Sequence, residues 1–323
     1  MALNDKLFLP KDIVCPVCET RFTHYELRKR QFSLDKRDMD YRPVYIGPIN
    51  PRFFSVSVCP NCFYAAEDKY FCALMTPEDL RRKELLDSHR SSWDAMNRVK
   101  AASSGQQIWK DAEAEKLRTL SPAQINVLRQ VKPLLERVSA TIASKGKAFN
   151  ILQKEGDLEA GIRAWELNAI CSKVRRANHR LLGYTYLNAA WTARDAYELT
   201  QIPGEKEKFK AFEKAYLTEA VSFLTIANLA TSVEDNFMPD GTRITKENIP
   251  ENRVFEIMYI LAGANRLLGK VEESNRFLSQ IITGGKGAQG IILWFVNQAK
   301  DMRHETALQN LPVPEDEPED EDY

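Results

Sequence analysis

The chain has 323 residues, of which 44% are hydrophobic and 28% charged; that suits a soluble globular protein of about two domains, each long enough to bury a core. Lysine and arginine together number 45, as do aspartate and glutamate, but Glu315–Asp322 holds seven acids and no base, which leaves the rest of the chain net positive by seven. That excess is far below the footprint of a dedicated nucleic-acid binder. The apolar run Ile291–Val296 is far too short to span a bilayer, and the opening MALNDKLFLPKD has no basic stretch leading into an apolar segment, so a cytoplasmic chain without membrane contact is expected.

Residues 7–62 read as strands and turns. Leu7–Val14 (LFLPKDIV) precedes Cys15, and Phe53–Val58 (FFSVSV) precedes Cys59, alternating aromatic or branched residues with serine as a half-buried strand does. Tyr25–Leu34 (YELRKRQFSL) reads as a third strand, and Ile46–Pro51 (IGPINP) as loop, since glycine and proline break regular structure. Helical patterning follows. Thr76–Leu86 opens on an N-cap threonine, a first-turn proline and two acids, and Ser121–Val131 repeats the device with Ser121 and Pro122. Ser103–Gln107 reads as a turn, and Pro133 should kink or restart its helix. From 134 to 300 long antiparallel helices are expected, broken at Lys154–Asp157, Gln201–Glu205, Met238–Gly241 and Thr283–Gly290. Residues from Leu311 are proline- and acid-rich and read as disordered.

Within those helices, Leu268-Gly269-Lys270-Val271 with Leu261, Ser274 and Leu278 in register resembles the turn of a tetratricopeptide repeat. Degenerate partners turn at Gly156 (Leu158, Gly161, Trp165) and begin at Leu182-Gly183 (Tyr186). A repeat-like solenoid is favoured over a generic helical bundle, because each helix pair needs a neighbour to cover its apolar face.

Six cysteines are present, and four form the pairs Cys15-Pro-Val-Cys18 and Cys59-Pro-Asn-Cys62. A C-x-x-C turn aims two thiolates at one ion, proline favours the tight turn, and two such knuckles complete a tetrahedral four-sulfur site for one structural zinc ion. The 40-residue spacer is longer than in compact ribbons, but doubling a loop costs only about 0.6 kcal/mol against roughly 10 kcal/mol for structural zinc. A redox pair would instead sit at a helix N-terminus in a βαβ unit. His24 reads as a surface residue, Cys72 as packed on a helix, and Cys171 as a small core residue. His304-Glu305 lacks the second histidine of a metalloprotease motif, because Leu308 stands there. Gly285-Lys-Gly-Ala-Gln-Gly290 matches G-x-G-x-x-G but follows a helical segment, so it reads as a helix–helix turn. Phe22, Tyr25, Phe32, Tyr41 and Tyr45 lie in a spacer with eight basic and five acidic residues; such a surface can stack single-stranded nucleic acid, although core packing is the simpler use. Trp93, Trp109, Trp165, Trp191 and Trp294 read as helix packing.

The segment Ile13–Ala66 also resembles a bacterial domain-of-unknown-function family that pairs two distant CPxC motifs, carries a Y-x-G-x-x-N-P-like loop before the second and continues into tetratricopeptide-like helices. The matching residues are Tyr45, Gly47, Asn50 and Pro51, then Tyr64, Ala65 and Ala66, where the resemblance implies a helix start, and Leu181–Asp195 (LLGYTYLNAAWTARD). That family usually has glycine after each knuckle; Glu19 and Phe63 stand here, which puts the knuckle geometry in question. The resemblance covers about residues 10–230 and implies fold and metal, without an activity.

Together these features describe an α+β, mostly α protein: a zinc-ribbon-like four-cysteine domain over 1–75, a helical linker region over 76–133, a tetratricopeptide-like helical domain over 134–300 and an acidic tail over 301–323. The expected role is a non-enzymatic scaffold binding a protein or peptide, with nucleic acid contacted through the basic aromatic strands as the alternative and an interdomain enzyme site as a remoter one.

Overall fold

A computed structural model of the chain describes residues 5–47, 50–67, 70–73, 120–229, 236–237, 243–244 and 249–309. Strand β1 (Phe8–Val14) pairs antiparallel along its whole length with β2 (Arg21–Leu27), from Phe8↔Leu27 to Val14↔Arg21. Its other edge takes β7 (Cys72–Ala73), giving the order β2-β1-β7. A second ribbon joins β3 (Ser33–Arg37) to β4 (Pro43–Ile46), and a third joins β5 (Ser57–Val58) to β6 (Ala65–Ala66).

Three sequence expectations change here. Tyr25–Leu34 is not one strand: β2 ends at Leu27, a 3-10 turn covers Lys29–Gln31, and β3 begins at Ser33. The cause is the partner strand, which starts only at Phe8; Arg28 N–H donates to Leu7 O at 3.0 Å and the ladder goes no further. Phe53–Val58 is not an alternating strand either. Pro51–Phe54 forms a 3-10 turn capped by Asn50, whose side chain accepts from Arg52 N–H, and the adjacent Phe53 and Phe54 are both buried. Finally, Ala65–Ala66 pairs as strand β6 instead of starting a helix, with both alanines fully buried.

The helices follow their sequence signals more closely. Helix α1 (Pro122–Gln130) has the full reciprocal capping box of Ser121 and Gln124. Pro133 restarts the helix, as α2 (Lys132–Ala143). Helix α3 (Phe149–Lys154) ends in a turn where Gly156 takes φ +83°, and Asp157 caps α4 (Leu158–Val174). Asn178 caps α5 (His179–Leu199), which is followed by α6 (Pro203–Leu229). After the short pair β8 (Asn236–Phe237) and β9 (Arg243–Ile244) come α7 (Glu251–Leu267), α8 (Val271–Gly284) and α9 (Gly290–Gln309). The Gly285–Gly290 motif is the α8–α9 turn, with Gly287 at φ +78° and Gly290 at φ +61°. The segments Thr76–Leu86, Ser103–Gln107, Met238–Gly241, the tail from Leu311, Trp93 and Trp109 lie outside the described residues. The chain is thus mostly α, with small antiparallel strand pairs first and a helical array after them.

The chain forms two compact units, cut differently from the four sequence segments: residues 1–33 with 46–216, and residues 34–45 with 217–323. In the first, the strands share a core with α1–α5 that includes Ile13, Tyr64, Leu135, Ile162, Leu167 and Leu187, each 0–1% exposed. In the second, Ile257, Leu261, Leu278, Ile281 and Phe295 are fully buried, and so is Ser274 beside the Gly269 turn. Gly161, the small residue of the Gly156 repeat candidate, meets not another helix but Phe53, whose Cδ1 would lie 2.4 Å from an added Cβ. Gly161→Val is therefore expected to lower stability by about 1–3 kcal/mol, read as the urea midpoint. Gly204→Ala, where nothing lies within 4 Å of an added Cβ, should not lower that midpoint and should raise it slightly.

Candidate metal centre

The two knuckles have one hydrogen-bond pattern. Glu19 N–H donates to Cys15 O at 2.9 Å and Cys15 N–H to Thr20 O at 3.0 Å; Phe63 N–H donates to Cys59 O at 3.1 Å and Cys59 N–H to Tyr64 O at 2.9 Å. Closing these turns requires a left-handed residue after each second cysteine. Glu19 takes φ +60° and Phe63 φ +57°, so the positions where the resembling family carries glycine hold that geometry without it. An L side chain in that region costs roughly 1–2 kcal/mol.

The strands then bring the knuckles together. Cys15 Sγ lies 3.5 Å from Cys62 Sγ, Cys18 Sγ lies 3.5 Å from Cys59 Sγ, and all four sulfurs fall within 4.8 Å of one another. A tetrahedron with metal–sulfur bonds of about 2.3 Å has edges of roughly 3.8 Å, so the cluster matches a four-coordinate ion in size. Cys15 and Cys59 are fully buried and Cys62 nearly so. Four thiolates cannot coexist there unaided. Hydrogen bonds with Cys59 and Cys62, followed by burial, push the Cys15 thiol far up. Contact with Cys15 pulls Cys62 down, but Cys59 and burial outweigh it and raise Cys62 as well. Cys59 is pulled well down by the same side-chain bonds from Cys15 and Cys62, aided by the amides of Cys62 and Asn61 against the cost of burial. Crowded, buried thiols of this kind lose their protons more readily to a cation placed among them, so the donor set fits a metal ion.

The helices grip this module through polar contacts. Arg52, 4% exposed, donates from Nη2 (2.6 Å) and Nε (2.9 Å) to Asp195 Oδ2, and Asn50 Nδ2 donates to the same oxygen at 2.8 Å. Trp165 Nε1 donates to Arg52 O at 3.0 Å, and Gln153 Nε2 to Phe53 O at 2.9 Å. Arg129 of α1 donates to Val17 O inside the first knuckle, at 3.1 Å from Nη2. Arg175 lies 4.3 Å from the Tyr70 ring and bonds Ser172 Oγ at 2.6 Å and Asn168 Oδ1 at 3.1 Å.

Other candidates fall elsewhere. His24 is not on the surface: it sits in β2 opposite Lys11, only 2% exposed, and is not among the clustered ligands. Cys72 is in strand β7 opposite Val14, not on a helix. Cys171 is fully buried in α4; its sulfur accepts from Ala65 N–H at 3.4 Å, and burial pushes its thiol up to about 11. Three of the spacer aromatics pack against other rings: Phe22 on Phe71, Tyr25 on Phe8, and Tyr41 on Tyr259, Trp294 and Phe295. Trp165 and Trp191 are buried, while Trp294 is 36% exposed.

A family model described as "Uncharacterized protein conserved in bacteria (DUF2225)" matches residues 8–109 and 123–306. The chain belongs to this family. Among curated proteins it is similar to an "Uncharacterized protein" of Borreliella burgdorferi, 29% identical over 99 residues, or 28% of this chain and 34% of that protein; the chain thus spans about a third of the length of that relative. No solved structure matches it.

The DUF2225 match runs well past the residue-230 limit of the resemblance. Two quoted stretches of that resemblance, the Asn50-Pro51 loop and Leu181–Asp195, meet in space at the Arg52–Asp195 pair. Sequence reasoning singled out Asn50 and Asp195 only as parts of motifs and missed Arg52, Trp165, Gln153, Arg129 and Arg175 as contacts. The asparagine–proline pair before the second knuckle was the one available signal.

Two outcomes follow from this geometry. Asp195→Ala leaves the buried Arg52 without its carboxylate and should cost about 3–5 kcal/mol in urea unfolding, whereas the double replacement Arg52→Met/Asp195→Leu should recover most of that loss. Glu19→Gly, at an exposed position, should raise stability by about 1 kcal/mol by removing left-handed strain. Phe63→Gly should gain less, because it also removes the edge contact with Phe149.

Proposed function

We propose that the chain is a non-enzymatic adaptor in which Cys15, Cys18, Cys59 and Cys62 hold one structural zinc ion and the helices present a surface to a protein or peptide partner. The observation that carries this reading is the ligand set. Four sulfurs within 4.8 Å, three of them buried, suit a soft or borderline tetrahedral ion and fill its coordination shell. A closed shell has no place for a water or substrate, so the metal's contribution is to hold strands together.

The partner surface has its support on α9, where Ile291 (49% exposed), Leu293 (43%) and Trp294 (36%) leave large apolar side chains in solvent over a single turn. Exposed tryptophan is a frequent anchor in protein contacts. The cytoplasmic assignment rests on the pairing of two C-x-x-C motifs, which in a reducing compartment more often serve a metal than a disulfide. No helix among the described residues is long and apolar enough to cross a membrane.

Elemental analysis should find about one zinc per full-length chain, with Cys15→Ser and Cys59→Ser each largely metal-free and less stable. Because the thiols must lose protons to bind, uptake should release protons to the buffer and retention should weaken as the pH is lowered. A folded, metal-free native chain that is indifferent to Cys15→Ser refutes the metal reading. For the adaptor role, a partner captured by the native chain should be lost with Leu293→Asp, a position 43% exposed and outside the aromatic cluster, at unchanged zinc content; equal capture would count against that surface.

A further inference from the structure

The spacer between the knuckles serves both compact units. Its legs belong to the first unit, with β2 leaving Cys18 and the Asn50–Phe54 turn leading to Cys59. The legs approach closely at Gly47, where an added Cβ would lie 2.7 Å from Gln31 O. Its tip, residues 34–45, belongs to the second unit.

That tip is a built element. Asp38 N–H donates to Arg42 O at 2.9 Å and Tyr41 N–H to Asp38 O at 2.8 Å, and Arg42 Nε donates to Asp38 Oδ2 at 2.6 Å. Tyr41 takes φ +66°, which places its ring 6.3 Å from Tyr259, 5.9 Å from Trp294 and 5.6 Å from Phe295. Asp40 is fully buried. On α7 the tip has a notch: a Cβ at Gly263 would lie 2.3 Å from Met39 O and 2.7 Å from Asp40 Cα. Backbone cannot yield to such an overlap, so the position must be glycine for the tip to seat.

We propose that the four-cysteine centre is a metal-dependent latch on the second helical unit, because an occupied site fixes both legs of the spacer and so favours seating of the β3–β4 tip at Gly263. The inference rests on the metal reading above. It predicts a reciprocal effect, since two equilibria linked through one element must shift each other by the same factor. Metal should tighten the seat, and a damaged seat should weaken metal binding.

The test uses the full-length chain and zinc itself, titrated in competition with a chromophoric chelator. Gly263→Val is expected to weaken zinc affinity about fivefold or more. Leu278→Ala, a core truncation on α8 that controls for general loss of stability, should stay within twofold. If Gly263→Val does not fold, Tyr41→Ala replaces it with the same expectation. Hydrogen exchange should show residues 34–45 and the α7 segment around Gly263 opening on chelation more than α4 and α5. Native zinc affinity in Gly263→Val or Tyr41→Ala, or unchanged exchange at 34–45, overturns the latch while leaving the metal site intact. A chain that takes up no zinc in any form overturns the metal reading and the latch with it.

Discussion

Four cysteine sulfurs within 4.8 Å impose an electrostatic demand on everything around them. Burial and mutual hydrogen bonding push the Cys15 and Cys62 thiols up and pull Cys59 down. An ion bound by these sulfurs would take the place of protons, and its binding energy would be realised only if two segments separated by 40 residues are held at one point. The left-handed Glu19 and Phe63, the paired knuckle hydrogen bonds and the ribbons β1–β2 and β5–β6 all serve that closure. The backbone cost at Glu19 and Phe63, roughly 1–2 kcal/mol each, is small beside the roughly 10 kcal/mol that a structural metal would supply, so glycine at both turns can be dispensed with.

The second determinant is the packing of this module on the helices. A free-standing ribbon would expose Phe53, Phe54 and Tyr64, whereas here they are 1–4% exposed in a core shared with α1–α5. Arg52 and Asp195 are buried together, a pairing that adds little net energy but strongly disfavours any arrangement in which one lacks the other. Gly161 against Phe53 sets how closely α4 approaches. The first helices are therefore part of the metal module's core, and 1–75 is a segment of the chain and not a compact unit of its own.

The long spacer has a physical role as well. Because loop-closure entropy grows only logarithmically, its length costs little, and it carries a hairpin whose tip is part of the second unit, with Tyr41 in an aromatic cluster and Met39–Asp40 in the notch at Gly263. Phe22, Tyr25 and Tyr41, three of the spacer aromatics, pack against other rings of the protein.

The sequence alone determined the features set by local chemistry. The clustering of the four knuckle cysteines follows from residue type and spacing, the helix start at Ser121 from its capping side chain, the break at Lys154–Asp157 from its turn residues, and the turns at Gly156, Gly269 and Gly287 from the tolerance of glycine for positive φ. The mostly α character with small strands first was legible for the same reason. Only the tertiary structure decided where β2 stops, since a strand ends when its partner runs out, and why Phe53–Val58 turns instead of extending, since both adjacent phenylalanines find a core. It also decided that Arg52 meets Asp195, 143 residues away, and that residues 34–45 join the second unit. These depend on which surfaces come together across long separations, and no local pattern in the chain encodes that.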